Sequence, residues 1–387
     1  MHSQKVSFPS PQGFIIAATL DLPDGKPRGF ALFSHCFAGS RFTPAAARVC
    51  KTLAELGIAA LRFDYPGLGQ SGGDFADTTF HTNTADLLAA YTWLERNYEA
   101  PQLLIGHSLG GAIALRASLE MPKVKALATI GAPFDPAHAV LHIADHISDA
   151  DENGSVVVSL AGRDLTISRR FLEVLADLNP EDYMRRVRKP LLICHSPMDQ
   201  TVGIDNAGKI FTLARYPKSL IALDKTDHLL TREGTAQRAG RLIATWASDY
   251  LDPRDDAAEP LPEGGANSVS VPVGRFADRV TTPRLELTTD RAKQDGGKNA
   301  GPSPDDLIAA ALVSGVSEHV RQIAQADRVR NLDRVMVHAE PDPDGWYLHI
   351  DLKGELSDSD RDLLLAAAAQ APVLLTVPSA KLVEPRE

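Results

Sequence analysis

The chain has 387 residues, 44% of them hydrophobic, 23% charged and 6% aromatic, a composition that excludes disordered, collagen-like and disulfide-stapled classes. A formal net charge of −10 leaves no basic field to hold a phosphate backbone or an anionic membrane, so neither nucleic acid nor a membrane is expected as a partner. The three cysteines, Cys36, Cys50 and Cys194, form an odd set in a long chain, which points to free thiols and a cytoplasmic setting. No charged stretch followed by an apolar one opens the sequence, and the longest apolar run, 363–377, is broken by Gln370 and Pro372, short of the roughly 18 residues of a membrane span.

The length predicts two or three domains. Over residues 1–251, short apolar runs alternate with amphipathic stretches: strands at 30–34, 59–63, 102–105, 126–130, 191–194 and 219–223, helices at 44–56, 82–97 and 237–250. That alternation predicts an α/β domain with a mostly parallel sheet covered on both faces. Residues 133–190 are too long for a simple connection and read as an inserted cap, with a helix at 136–146, a hairpin at 156–160 and 165–168, and a second helix at 169–178. Residues 252–267 read as an exposed linker, since 252–266 hold three prolines, two glycines and five acids. A second, α+β domain is expected over 268–387, with helices at 304–325 and 357–370 and strands at 334–339 and 346–352. Residues 253–387 carry 15 Lys and Arg against 23 Asp and Glu, so most of the excess acid lies there.

The chemistry concentrates where Leu103-Leu104-Ile105 runs into Gly106-His107-Ser108-Leu109-Gly110 and then Gly111-Ala112-Ile113, a strand, a sharp turn and a helix. Such an elbow exposes a serine hydroxyl at the C-terminal edge of a sheet, where helix capping alone would not need glycines on both sides. A serine nucleophile needs a base, and the base needs a carboxylate to orient it. His228 follows the run 220–223 and is the one histidine after Asp199 in this domain, which makes it the base. Asp199, just after 191–194, is favoured as the acid over Asp164, which falls in the cap hairpin where a solvated turn aspartate is the plain explanation. Asp227, adjacent to His228, reads as a solvated loop charge. The Leu109 N–H, directly after the nucleophile, supplies one donor for a developing oxyanion.

Together with Asp64-Tyr65-Pro66-Gly67-Leu68-Gly69-Gln70-Ser71, which matches an Asp-x-x-Gly-x-Gly-x-Ser loop, these segments resemble the α/β-hydrolase superfamily over about residues 5–251. The resemblance implies a Ser108, Asp199, His228 triad working without a cofactor or metal. It also sets His35-Cys36-Phe37 in the place of the family's His-Gly-x segment, with the Phe37 N–H as second oxyanion donor and the Cys36 N–H as the alternative. His35 then braces the loop. A serine nucleophile excludes the aspartate-based dehalogenase and epoxide-hydrolase branches, and the small hairpin-bearing cap is similar to that of feruloyl-type and other short-chain carboxylesterases. The expected activity is hydrolysis of small-molecule acyl esters; amide or peptide hydrolysis of the serine aminopeptidase type, or acyl-compound binding without turnover, are the alternatives.

The tail segment Gly301-Pro302-Ser303-Pro304-Asp305-Asp306-Leu307-Ile308-Ala309-Ala310-Ala311-Leu312 resembles the helix entry of the OsmC/Ohr thiol peroxidases, and the likeness spans about 268–383. That resemblance sets Gly315 and Ala371 at the family's two cysteine positions, so peroxidase chemistry is not expected. It also implies a homodimer through this domain, since the runs 307–313 and 363–369 are apolar nearly all round a helix, as in buried elements.

Three further features take plain readings. His138, His142 and His146 share one face of the cap helix and read as a polar surface rather than a metal stripe. The pairs His35-Cys36 and Cys194-His195 read as half core and half loop, and residues 67–73 lack the Lys-Ser/Thr ending of a P-loop.

Overall fold

The computed structural model describes residues 1–137, 155–160, 163–251, 264–271, 275–377 and 380–383. The chain forms two compact units, one of Met1–Ser268 with Arg279–Leu287, the other of Val269–Asp278 with Thr288–Glu387.

The first unit contains strands β1 (His2–Pro9), β2 (Ile15–Leu22), β3 (Phe30–Ser34), β4 (Ala59–Phe63), β5 (Leu103–His107), β6 (Ala126–Ile130), β7 (Ser155–Leu160), β8 (Arg163–Ser168), β9 (Leu191–His195) and β10 (Lys218–Ala222). Eight of them form one sheet in the order β1-β2-β4-β3-β5-β6-β9-β10. β1 pairs antiparallel to β2 and β2 antiparallel to β4, and the other pairings are parallel. Every residue of β3, β4, β5, β6 and β9 is buried. Continuous burial follows from helices lying on both faces, which is why these strands read as unbroken apolar runs. On one face the helices Pro44–Glu55 and Thr235–Ala247 pack Val49, Leu53, Ala239 and Ile243 against Phe33, Ile105, Ala128 and Leu192. The helix Phe80–Asn97 opens with a reciprocal cap between Thr79 and Thr82. β7 and β8 pair antiparallel as the cap hairpin, followed by the helix Arg169–Ala176 with Phe171 and Leu175 buried. The proposed cap helix at 136–146, with His138, His142 and His146, lies outside the described residues apart from its first two positions.

Most of the expected linker, 252–263, also lies outside the described residues, and its last position, Asn267, opens a strand instead. Strands β11 (Asn267–Ser270), β12 (Asp278–Thr281) and β13 (Glu286–Thr289) make a small sheet. In the second unit β14 (Arg334–Asp342) pairs antiparallel with β15 (Gly345–Lys353), and β16 (Ala380–Val383) runs parallel to β15. The helix Pro304–Ala326 starts at a Ser303–Asp306 capping box with proline in its first turn. Its Leu312, Val316, Val320 and Ala324 meet Leu348, Ile350 and Leu352 of β15 and Leu364 and Ala368 of the helix Asp358–Ala369. Leu312 is buried, whereas Ile308 is 39% exposed and Leu363 of the other run is 37% exposed, so one copy leaves part of each apolar face uncovered. A helix packed on one sheet and one neighbour buries a single stripe.

Candidate active site

Parallel strands deliver the loops after β3, β5, β9 and β10 to one edge of the sheet, and the expected functional residues stand on these four loops. β5 ends at His107 and the next helix begins at Leu109, so Ser108 carries the whole turn, with φ 55° and ψ −129°. For a residue other than glycine this is strained backbone, stabilised by its surroundings. A Cβ on Gly106 would strike the Gly110 carbonyl and Gly111 Cα, and one on Gly110 the carbonyls of Ser34 and His35, so both glycines are required for the elbow to close. The Ser108 N–H donates to the Ile130 carbonyl at 2.9 Å.

The three residues of the expected triad come together. His228 Nδ1 lies 2.7 Å from Asp199 Oδ2 and its Nε2 lies 2.9 Å from Ser108 Oγ. A carboxylate only accepts, so Nδ1 carries the hydrogen and Nε2 offers its lone pair to the serine hydroxyl. Asp199 Oδ1 accepts the N–H groups of Thr201 and Val202, each at 2.9 Å. Burial pushes the Asp199 carboxyl up, but the hydrogen bond and charge of His228 together with those two N–H donors outweigh it, and the group stays below the usual carboxylate range. Asp164 sits in β8, and it is Asp199 that His228 meets.

Leu109 is the first residue of its helix, where the N–H has no partner one turn back and faces outward from the helix end. Phe37 lies in a turn closed by Gly39 N–H to the Cys36 carbonyl at 3.0 Å, and its ring meets those of Phe75 and Phe171 at 5.0 and 5.3 Å. The loop after β3 is anchored beyond Phe37 by the buried pair Arg41 and Asp64. Asp64 Oδ1 accepts the Arg41 N–H at 2.6 Å and Oδ2 the Gln70 N–H at 2.9 Å, while Ser71 Oγ donates to the Asp64 carbonyl at 2.6 Å. The Asp-x-x-Gly-x-Gly-x-Ser motif is thus a brace whose first and last residues bind each other.

Several residues do more than their sequence context suggested. Asp227 is not a merely solvated charge: its carboxylate accepts the N–H groups of Leu229, Thr231 and Arg232 and shapes the loop that holds His228. Cys194 packs in the core while the buried His195 ring meets the loop after β9, the half-core, half-loop split expected of this pair, and His35 and Cys36 are both buried in the loop after β3. His195 Nε2 donates to the Val202 carbonyl at 2.8 Å within the loop that holds Asp199, and burial lowers its pKa. His35 bonds the Cys36 carbonyl through Nδ1 at 2.7 Å and accepts the Tyr65 N–H at Nε2, the bracing role expected of it. Gly131, at φ +53°, was not singled out by the sequence, yet a Cβ there would lie 3.2 Å from Asp199 Oδ2 and 3.4 Å from His228 Nδ1. Among the described residues no group of three or more His, Cys, Asp or Glu is arranged to hold a metal ion.

Comparison with known proteins agrees with this architecture. The family model described as serine aminopeptidase, S33, matches residues 25–166. The crystal structure of the esterase domain of a Rhodothermus marinus protein is 44% identical, with a TM-score of 0.56, and the alignment covers 65% of this chain and 100% of that one. Human protein ABHD12B is 29% identical over 206 residues, 50% of this chain and 51% of that protein. The mitochondrial palmitoyl-protein thioesterase ABHD10 of Mus musculus is 42% identical over 82 residues, 21% of this chain and 25% of that protein. The chain therefore belongs to the α/β-hydrolase superfamily. It spans about half the length, or less, of these two curated relatives.

Proposed function

We propose that the protein is a serine hydrolase that cleaves carboxylic acyl esters through an acyl-enzyme on Ser108. The observation that carries the reading is the continuous hydrogen-bonded line from Ser108 Oγ through His228 to Asp199, at 2.9 and 2.7 Å. In the first step Oγ attacks the ester carbonyl carbon as His228 Nε2 takes the hydroxyl proton. Asp199 holds the imidazole in place and stabilises its charge, while the N–H groups of Leu109 and Phe37 receive the oxyanion. The tetrahedral intermediate collapses, His228 returns the proton to the departing alcohol, and the acyl group stays on Ser108. Water then repeats the sequence, releasing the acid and restoring the hydroxyl. No cofactor enters either half-reaction.

Labelling with a fluorophosphonate, mapped to Ser108, tests the nucleophile, and a panel of oxygen esters and thioesters of graded acyl length then ranks substrates. Amide hydrolysis is the second reading, favoured by the serine aminopeptidase description of the matching family model. An aryl amide hydrolysed faster than its matching ester would select it. The buried, unpaired thiols of Cys36, Cys50 and Cys194 support a cytoplasmic setting.

The second unit serves a non-catalytic role in this reading, as a dimerisation or site-shaping element. Its likeness to OsmC proteins rests on the sequence of its first helix entry, and all three cysteines of the chain precede it. The partial exposure of Ile308 and Leu363 supports association with a second copy, which light scattering on the full chain would detect.

A further inference from the structure

We propose that His107 is a positioning residue for the base: its ring Nε2–H holds the main-chain carbonyl of His228 and so fixes where the His228 imidazole stands relative to Ser108. The inference rests on the triad reading above. Nε2 of His107 lies 2.8 Å from the His228 carbonyl oxygen, across 121 positions of sequence. A carbonyl can only accept, so Nε2 carries the hydrogen and Nδ1 is bare. That Nδ1 is buried with no hydrogen-bond partner. The two imidazole rings lie 5.2 Å apart between centroids, inclined by 37°.

The base loop needs such a tie. It runs between β10 and the helix Thr235–Ala247, and two of its residues other than glycine, Lys225 and Leu230, hold left-handed backbone at φ 58° and 56°. Left-handed residues of this kind persist only where their surroundings over-determine them. Asp227 secures the loop from its solvent side, through Thr231 and Arg232. His107, fully buried, secures it from the sheet side. His107 is also bonded covalently to Ser108, so one side chain links the nucleophile's strand to the base's own backbone.

The chemistry of the donor suits the position. Burial, reinforced by the neighbouring His228, lowers the His107 pKa to about 3. The ring therefore stays neutral over the working range of pH, and its donor neither titrates away nor sets a second positive charge beside the imidazolium that forms on His228 during turnover. A lysine or arginine could donate to the same carbonyl but would oppose that charge.

The test compares His107→Phe, which keeps a ring of similar size without the donor, with His107→Gln, whose amide N–H reaches to about the place of Nε2. Both are measured in the full chain for kcat and KM on an aryl ester and for fluorophosphonate labelling rate, with melting temperature as the folding control. We expect His107→Phe to lose about 10- to 100-fold in kcat and in labelling rate, the penalty of a displaced catalytic group, with KM within about 3-fold. His107→Gln should retain most of both rates. A His107→Phe protein with kcat within about 3-fold of wild type, or equal losses in the Phe and Gln variants, would overturn the proposal. His228→Ala separates the two levels: if that variant remains active the triad reading fails, and if it is inactive while His107→Phe is unimpaired only the positioning role fails.

Discussion

Ser196 Oγ donates to the main-chain carbonyl of Thr226 at 2.6 Å, and this one bond joins the loop that carries Asp199 to the loop that carries His228. Both loops are irregular, so the 2.7 Å contact between Asp199 and His228 depends on ties of this kind rather than on secondary structure. Ser196→Ala removes the donor and leaves a buried carbonyl without it. The expected cost is about 1 to 3 kcal/mol of stability, measured by urea unfolding, with a fall of about 3- to 10-fold in kcat as the pair loosens.

Gly131 gives a sharper probe of the same geometry. Its φ of +53° disfavours any other residue, and a methyl group there would press on Asp199 Oδ2 and His228 Nδ1 from 3.2 and 3.4 Å. Gly131→Ala should lower kcat/KM by about 10-fold or more while the protein loses about 1 to 2 kcal/mol. Steady-state kinetics at matched folded fraction would check both effects.

The parts of this protein that were legible in its sequence are those written by local pattern. Fully buried strands must be continuous apolar runs, so 30–34, 59–63 and 126–130 coincide with β3, β4 and β6. The elbow was legible because Gly106 and Gly110 are demanded by backbone contact rather than by side-chain preference. Less readable were β1, whose burial alternates at the sheet edge, and residues whose roles arise only in three dimensions. His107 looks like the variable position of a motif until the fold brings the His228 carbonyl to it. Asp227 reads as a solvated charge because nothing in the sequence shows that its carboxylate turns back on its own loop.

Outside the triad, Asp86 provides a pH-dependent term in stability. It is buried in the helix Phe80–Asn97, with Oδ1 accepting the Ser10 hydroxyl at 2.6 Å and Oδ2 without a partner. Burial raises its pKa from 3.8 to about 6. The folded state therefore binds this proton more tightly than the unfolded chain, and the stability it contributes below the ordinary carboxylate value is lost as pH climbs to about 6, up to about 3 kcal/mol. Asp86→Asn lacks that slope. Relative to wild type it should gain stability between pH 4.5 and 7.5, and a constant difference across that range, read by urea unfolding, would contradict the assignment.

In the second unit a Cβ on Gly315 would lie 2.8 Å from Val373 Cβ, so side-chain growth there must displace the helix Pro372–Thr376. Gly315→Cys with Ala371→Cys should destabilise the unit by about 1 to 3 kcal/mol, as overpacking does. The wild-type protein should not reduce an organic hydroperoxide with a dithiol. Measurable turnover in that assay would refute a purely non-catalytic second unit.

The most direct test of the whole reading is steady-state ester hydrolysis by Ser108→Ala, run beside wild-type protein of the same melting temperature. Loss of a triad nucleophile lowers kcat by about 10⁴- to 10⁶-fold, and that is the result expected here. A folded Ser108→Ala protein retaining more than about a tenth of wild-type turnover would show that the reaction does not pass through Ser108.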